Sequence, residues 1–446
     1  MTASAPTLDD CRIDGDTAGA TPLLFKILTV VVIGYLSFGK SFAYLGLYPV
    51  YLGEILLSSA LLIQAKRVRI DFFGTASGVF ISLLLAIVAV QATASMMWAE
   101  AATTEIVRNT AFAYYALYAL IVFSLASPDT IAGCVQFVNT ALIRGAPVIL
   151  AIVTVSALAF VYSANDLPAF PGTEVPILFF KATDASLILC IFIYLWRRGH
   201  LGMISGGWAL ALGLLAGARS RAALLSVLFA LVFRLQFSRR ALWALALVGT
   251  TLVGLWLSGA VIDLGGYRKL SIQQYVSNIN SLADSDNDDP STHKNVVWRT
   301  RWWRAIVEDC LASERIFSGR GWGSNLANDF GFQDRQADSV NSLRHPHNIA
   351  IGVLGRGGMI AAAVWCAVYL SLIATAIGAA RKRGPDSHET ANLCLLALVV
   401  GLINGLTDVY LESPQNAIPH WYFVGLMMSV GYCGSPRFVS RLRNQT

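Results

Sequence analysis

Apolar residues fall along this chain in long runs, separated by short clusters of Gly, Pro, Arg and Lys. A helix needs about 20 apolar residues to cross a hydrocarbon core. Runs near 23–40, 43–64, 74–94, 106–126, 142–162, 176–196, 201–217, 221–236, 241–259, 348–380, 391–409 and 419–434 reach or approach that length. The pattern predicts about twelve transmembrane helices. The tenth run is too long for one crossing, so its beginning is expected at the interface or in a re-entrant turn. The weak alternation of a membrane barrel is absent. The expected fold is an all-α polytopic membrane protein. Residues 1–22 form a tail, 23–259 a bundle of about nine helices, 260–347 a long and partly helical loop, 348–434 about three further helices, and 435–446 a second tail.

Composition agrees with lipid as the solvent: 55% of residues are hydrophobic, 13% are charged, and the mean hydropathy is +0.58. The net charge of +6 would hint at nucleic acid in a soluble protein, but here basic residues act as topology signals, so no nucleic-acid partner is expected. Counting alternation from the N-terminus puts Lys66/Arg67/Arg69, Arg197/Arg198, Arg239/Arg240, Arg381/Lys382/Arg383 and Arg437/Arg441/Arg443 on one face. By the positive-inside rule that face is cytoplasmic and carries both termini, and the long loop faces the periplasm of a bacterial inner membrane. The first 20 residues are polar with four Asp, unlike a cleavable signal peptide. The seven cysteines show no metal-ligand spacing, and Cys310 alone falls in the loop, so no internal disulfide staples it.

The segment 260–347 holds ten Lys/Arg and eleven Asp/Glu, and residues 298–312 read as a helix. Three places on its side of the membrane concentrate groups that packing does not require. Arg219 and Arg221 flank Ser220 between two short apolar runs, where they either snorkel or face a polar cavity. Trp298-Arg299-Thr300-Arg301-Trp302-Trp303-Arg304 puts Arg299 and Trp303 on one helical face. There the tryptophans can bury the loop against the membrane surface while arginines reach a phosphate, unless the whole is an interfacial helix for anionic headgroups. Arg344-His345-Pro346-His347-Asn348 closes the loop. A histidine there suits taking a proton from a sugar hydroxyl, although such a residue at an interface is often structural.

Two motifs mislead. Asp284-Ser285-Asp286-Asn287-Asp288-Asp289 resembles the start of a calcium loop, but it lacks the sixth-position Gly, and Asn295 stands where the closing Glu belongs; an exposed turn is the reading for Asp284–Pro290. Gly319-Arg320-Gly321-Trp322-Gly323 follows no strand and is not a nucleotide fingerprint. Outside the cytoplasm, glycosyl transfer draws on lipid-attached donors, and a pyrophosphate leaving group needs cations where charge develops. From the residues alone, the expectation is outer-face chemistry on an anionic lipid-linked substrate, and no finer.

Ser220-Arg221-Ala222, then Arg299-x-x-x-Trp303 leading to Gly319-x-Gly321, then His347-Asn348 with Gly358 eleven residues on, resembles the O-antigen ligase and polymerase superfamily over roughly residues 200–380. The resemblance implies a membrane glycosyltransferase with an undecaprenyl-pyrophosphate-linked glycan donor and a lipid A-core acceptor, without cofactor or metal. It implies His347 as base and Arg221 and Arg299 on the pyrophosphate, with Arg219 and Arg301 as competitors. His345, Asn348, Arg344 and Trp303 would support them. Superfamily members often carry Glu where this chain has Arg356, which puts the loop-to-helix contact in question and offers a further phosphate ligand. The reading is an inverting ligase; a polymerase joining lipid-linked repeats is the alternative. A transporter or flippase would instead need charge at mid-membrane, where Glu54, Asp184, Arg356 and Asp408 are the few candidates.

Overall fold

The computed structural model describes residues 21–47, 50–98, 102–163, 167–171, 175–233, 239–259, 261–263, 269–283, 290–312, 314–333, 343–381 and 385–433. The tails beyond them and the acidic turn at 284–289 lie outside the described residues. Helices dominate: α1 (Leu23–Phe38), α2 (Leu52–Gln64), α3 (Ala76–Trp98), α4 (Thr103–Asn109), α5 (Leu117–Leu125), α6 (Ile131–Ser163), α7 (Ala182–Arg198) and α8 (Met203–Arg219). After them come α9 (Arg221–Val232), α10 (Arg239–Ser258), α11 (Ile272–Ala283), α12 (Pro290–Ala312), α13 (Ile349–Arg381), α14 (Pro385–Thr407) and α15 (Pro414–Cys433). The strands described are two-residue antiparallel pairs, Gly46–Leu47 with Val50–Tyr51 and Ile262–Asp263 with Lys269–Leu270.

Each of the twelve apolar runs overlaps a helix, but the count of twelve crossings does not hold. Among the described residues, four helices are long and apolar enough to span, and a bent fifth if α4 and the segment Ala111–Leu125, which meet at 50°, are one span. The reason is physical. α2 has 13 residues and α9 has 12, about 20 Å of rise against a core of about 30 Å. α7 is buried along Ala182–Arg197, and α15 along Gln415–Val430. A helix walled in by protein can carry Thr183, Asp184, Ser186 and Arg197, so its hydropathy falls below that of a lipid-facing helix.

Helix ends are held by identifiable devices. Ser220 caps α9 by accepting from the Ala223 amide at 3.5 Å. Gly199 takes a left-handed conformation after α7, whose last turn carries Arg197 and Arg198, and Arg198 pairs with Glu389 at 2.8 Å near the start of α14. At the opposite end of these helices, Asn404 of α14 donates to Ser186 of α7 at 2.9 Å and Ser226 of α9 at 3.2 Å. That buried knot sets three helices at one level and positions the site.

The long loop folds back on the bundle. Trp302 and Ile306 of α12, with Leu326 and Ala327, form a small core that Trp298, Phe332 and Ile351 complete. The Trp302 ring stacks on Phe332 with centroids 5.7 Å apart. These tryptophans therefore pack the loop's own interior rather than a membrane surface. The Gly319-x-Gly321 turn docks on a break in α13 at Gly358, whose φ of 71° and ψ of −172° suit glycine alone. Across the break, the amides of Arg320, Gly321 and Met359 donate to the carbonyls of Gly355, Arg356 and Ile316 at 2.9, 2.9 and 2.7 Å.

Candidate functional site

His347 sits just before α13 in a left-handed backbone conformation, with φ +54°. Histidine pays about 1–2 kcal/mol for such a backbone, so surrounding contacts must hold it there. Asn348 supplies one: its Oδ1 accepts from the Ile351 amide at 3.2 Å, capping α13 and fixing the chain direction. Trp303 supplies another, donating its indole N–H to the Pro346 carbonyl at 2.6 Å.

His347 Nδ1 lies 3.1 Å from Asp408 Oδ1, one residue beyond the end of α14. Asp408 Oδ2 takes the Lys181 ammonium at 2.7 Å and the Thr183 hydroxyl at 2.8 Å, both from the start of α7. Burial alone would raise the Asp408 carboxyl. The Lys181 ammonium and the hydrogen bonds from His347 and Lys181 outweigh it and hold Asp408 well below the usual carboxylate range. An ionised carboxylate can only accept, so Nδ1 is the donor in this pair and Nε2 is the ring nitrogen left facing away from Asp408.

The arginine motifs converge here unequally. Arg299 donates to the Thr407 carbonyl at 3.0 Å, next to Asp408. Arg301 is exposed and lies two residues on, turned by about 200° around α12. Arg221, half-buried, opens α9 directly after its cap. It stands five residues before Ser226, and Asp408 stands four after Asn404, so both reach the same level by about 6–8 Å of helical rise from the Asn404–Ser226 contact. A cation at a helix N-terminus opposes the helix dipole and suits an anion placed there. Arg219 instead lays its guanidinium on the Phe160 ring of α6, 4.8 Å from the centroid.

The second histidine is placed differently. His345 is buried, with Nδ1 3.3 Å from Arg356 Nη1 and 3.4 Å from Glu412 Oε1. Burial first, then the Arg356 guanidinium, lowers its affinity for a proton, partly offset by Glu412. Arg356, wholly buried, spends its other N–H groups on the carbonyls of Ser324 at 3.2 Å and Arg344 at 2.9 Å. It ties the turn after Gly321 to the segment before His347, which takes it away from the role of exposed phosphate ligand. Arg344 pairs with Glu105 at 2.7 Å, anchoring the same segment to α4.

Lys181, Thr183 and Glu412 escaped the motif reading, and Asp408 entered it only as a mid-membrane charge. Ionisable residues at the ends of apolar runs were the available signal. Among the described residues no three His, Cys, Asp or Glu side chains stand together as a metal site would need. An apolar groove of about 460 Å³ is lined by Phe38 at the end of α1, by Pro147, Ile152 and Val155 of α6, and by Leu178. Leu178 is three residues from Lys181.

Two comparisons bear on this arrangement. Residues 206–366 match a family model described as O-antigen ligase. An O-antigen ligase of Pseudomonas aeruginosa is 36% identical over 95 residues, 20% of this chain and 21% of that protein. The match thus spans about a fifth of the length of the curated relative. The superfamily to which the motifs and both matches relate this multi-pass chain is that of the O-antigen ligases.

Proposed function

We propose that the protein is an O-antigen ligase of the bacterial inner membrane, transferring polysaccharide from undecaprenyl pyrophosphate to a sugar hydroxyl of lipid A-core on the periplasmic face. The observation that carries the reading is the dyad of His347 and Asp408, 3.1 Å apart, with Arg299 fixed one residue from Asp408 and Arg221 at the same level. His347 Nε2 takes the proton of the acceptor hydroxyl as its oxygen attacks the anomeric carbon of the donor sugar. The bond from that carbon to the pyrophosphate oxygen breaks, and the electron pair leaves with the lipid pyrophosphate. Arg299 and Arg221 neutralise the charge developing on it, a role for which the guanidinium fork is suited. Attack and departure on opposite faces invert the anomeric centre. The apolar groove suits a hydrocarbon chain, and the cationic end of the bundle suits its anionic head.

The experiment is complementation of a ligase-deletion strain, with lipopolysaccharide resolved on a gel. Wild type restores the polymer ladder on core. His347→Ala, Arg221→Ala and Arg299→Ala, expressed at equal level, give core alone and leave lipid-linked polymer behind. A deletion that leaves single repeats on the core assigns the step to polymerisation instead, and normal ladders from all three variants refute the site.

A further inference from the structure

Lys181 stands directly behind the dyad. Its ammonium meets Asp408 Oδ2 at 2.7 Å, and the other oxygen of the same carboxylate meets His347 Nδ1 at 3.1 Å. Ammonium, carboxylate and imidazole are in series. The carboxylate is fixed from both sides, by the Thr183 hydroxyl at 2.8 Å on Oδ2 and its neighbour's amide, Val409 N–H, at 2.8 Å on Oδ1. It therefore cannot swing to follow the histidine.

A carboxylate against an imidazole favours the protonated ring, which helps once the proton has been taken but fills the acceptor site beforehand. An ammonium on the far oxygen withdraws part of that influence. We propose that Lys181 is a positioning residue that acts through Asp408, limiting the negative charge His347 meets so that Nε2 stays free to accept a proton. The assignment rests on the proposed ligase reading for its catalytic meaning, but its electrostatic content does not depend on that reading.

Other charges face this group and stay in place when Lys181 changes. Asp184, in the first turn of α7, is held by Asn416 at 2.7 Å. Glu412 lies beside His345 and Arg356. Lys40 lies over the Phe179 ring, two residues from Lys181. Arg299 sits on the Thr407 carbonyl.

The test follows the pH dependence of His347 modification by diethylpyrocarbonate in the full-length protein in detergent, resolved from His345 by fragmentation mass spectrometry. Lys181→Met is expected to move the His347 midpoint up by about one pH unit, a tenfold change in proton affinity, and Lys181→Arg to stay near wild type. In an Asp408→Asn background, Lys181→Met should give no more than about a third of that shift, because the connecting charge is gone. Lys181→Gln gives the same reading if the methionine variant does not accumulate. An unmoved midpoint, or an equal shift in the Asp408→Asn background, overturns the proposal. A parallel assay with a synthetic polyprenyl-diphosphate oligosaccharide and lipid A-core should show the acidic limb of the rate moving with the midpoint. A shifted midpoint in a protein that never transfers sugar upholds the role of Lys181 and removes the ligase reading alone.

Discussion

Gly358→Ala isolates the joint on which the loop is seated. The added methyl would lie 2.5 Å from the Phe317 carbonyl carbon and oxygen, at a φ of +71°. The backbone conformation alone costs a non-glycine residue about 1–3 kcal/mol. Relief of the clash means separating α13 from the turn at 316–321, which breaks the three hydrogen bonds donated by the amides of Arg320, Gly321 and Met359. At about 1 kcal/mol net each, those bonds are worth about 3 kcal/mol together. Either route loosens the joint by about 3 kcal/mol, a factor of about 100 in its opening equilibrium. Hydrogen exchange should show the amides of Arg320, Gly321 and Met359 exchanging about 100-fold faster, while those of α7 and α15 keep their protection. Ligation should fall with them, since Arg356, two residues before the joint, carries the tie to the His347 segment. Wild-type exchange at these three amides together with full ligation would refute the argument that this joint seats the loop.

Asp408→Asn replaces an acceptor-only carboxylate with an uncharged amide that can also donate, so the His347 tautomer is no longer fixed, and it should lower ligation about 100-fold or more at unchanged expression, read from the polymer ladder; an intact ladder separates Asp408 from the chemistry. Arg299→Ala should abolish ligation while Arg301→Ala stays within about twofold of wild type, because only Arg299 faces the dyad; equal loss in both would mean that charge on α12 matters without geometry. For pH, burial and Arg356 hold His345 below the ordinary histidine value, so the open segment binds a proton that the seated one does not. Protection of the amides at 343–348 should be full above about pH 6.5 and fall as pH drops from there toward the folded value, with His345→Gln flattening the profile. Exchange corrected for its intrinsic pH dependence checks this, and a flat wild-type profile from pH 5 to 7.5 would count against it.

Much of the fold was legible because the apolar runs are long and their breakers sharp. The number of crossings was not, because length and hydropathy treat each run as facing lipid. α7 and α15 face protein, where polar groups such as Asp184 and Asn416 find each other at 2.7 Å. Within the site, His347-Asn348 was singled out by the family resemblance, and the capping of α13 by Asn348 was not foreseen. The preference of the structure for Arg299 over Arg301 follows from helical phase once α12 is known. Lys181 and Asp408 lie 227 residues apart, and no local pattern announces that α7 and α14 bring them together. The same holds for Arg356, whose partners at Ser324 and Arg344 belong to two different turns of the loop.

The contacts of α12 have a consequence for traffic. Trp303 and Arg299, one turn apart, grip the carbonyls of Pro346 and Thr407, and each of these carbonyls immediately precedes one member of the dyad. Raising α12 to admit a bulky amphiphile from above would release both grips and take the histidine and its carboxylate out of register. The helix is an interlock, not a door. Under the proposed reading, a lipid chain that leaves α12 seated would approach along the apolar groove by Leu178, with both grips kept.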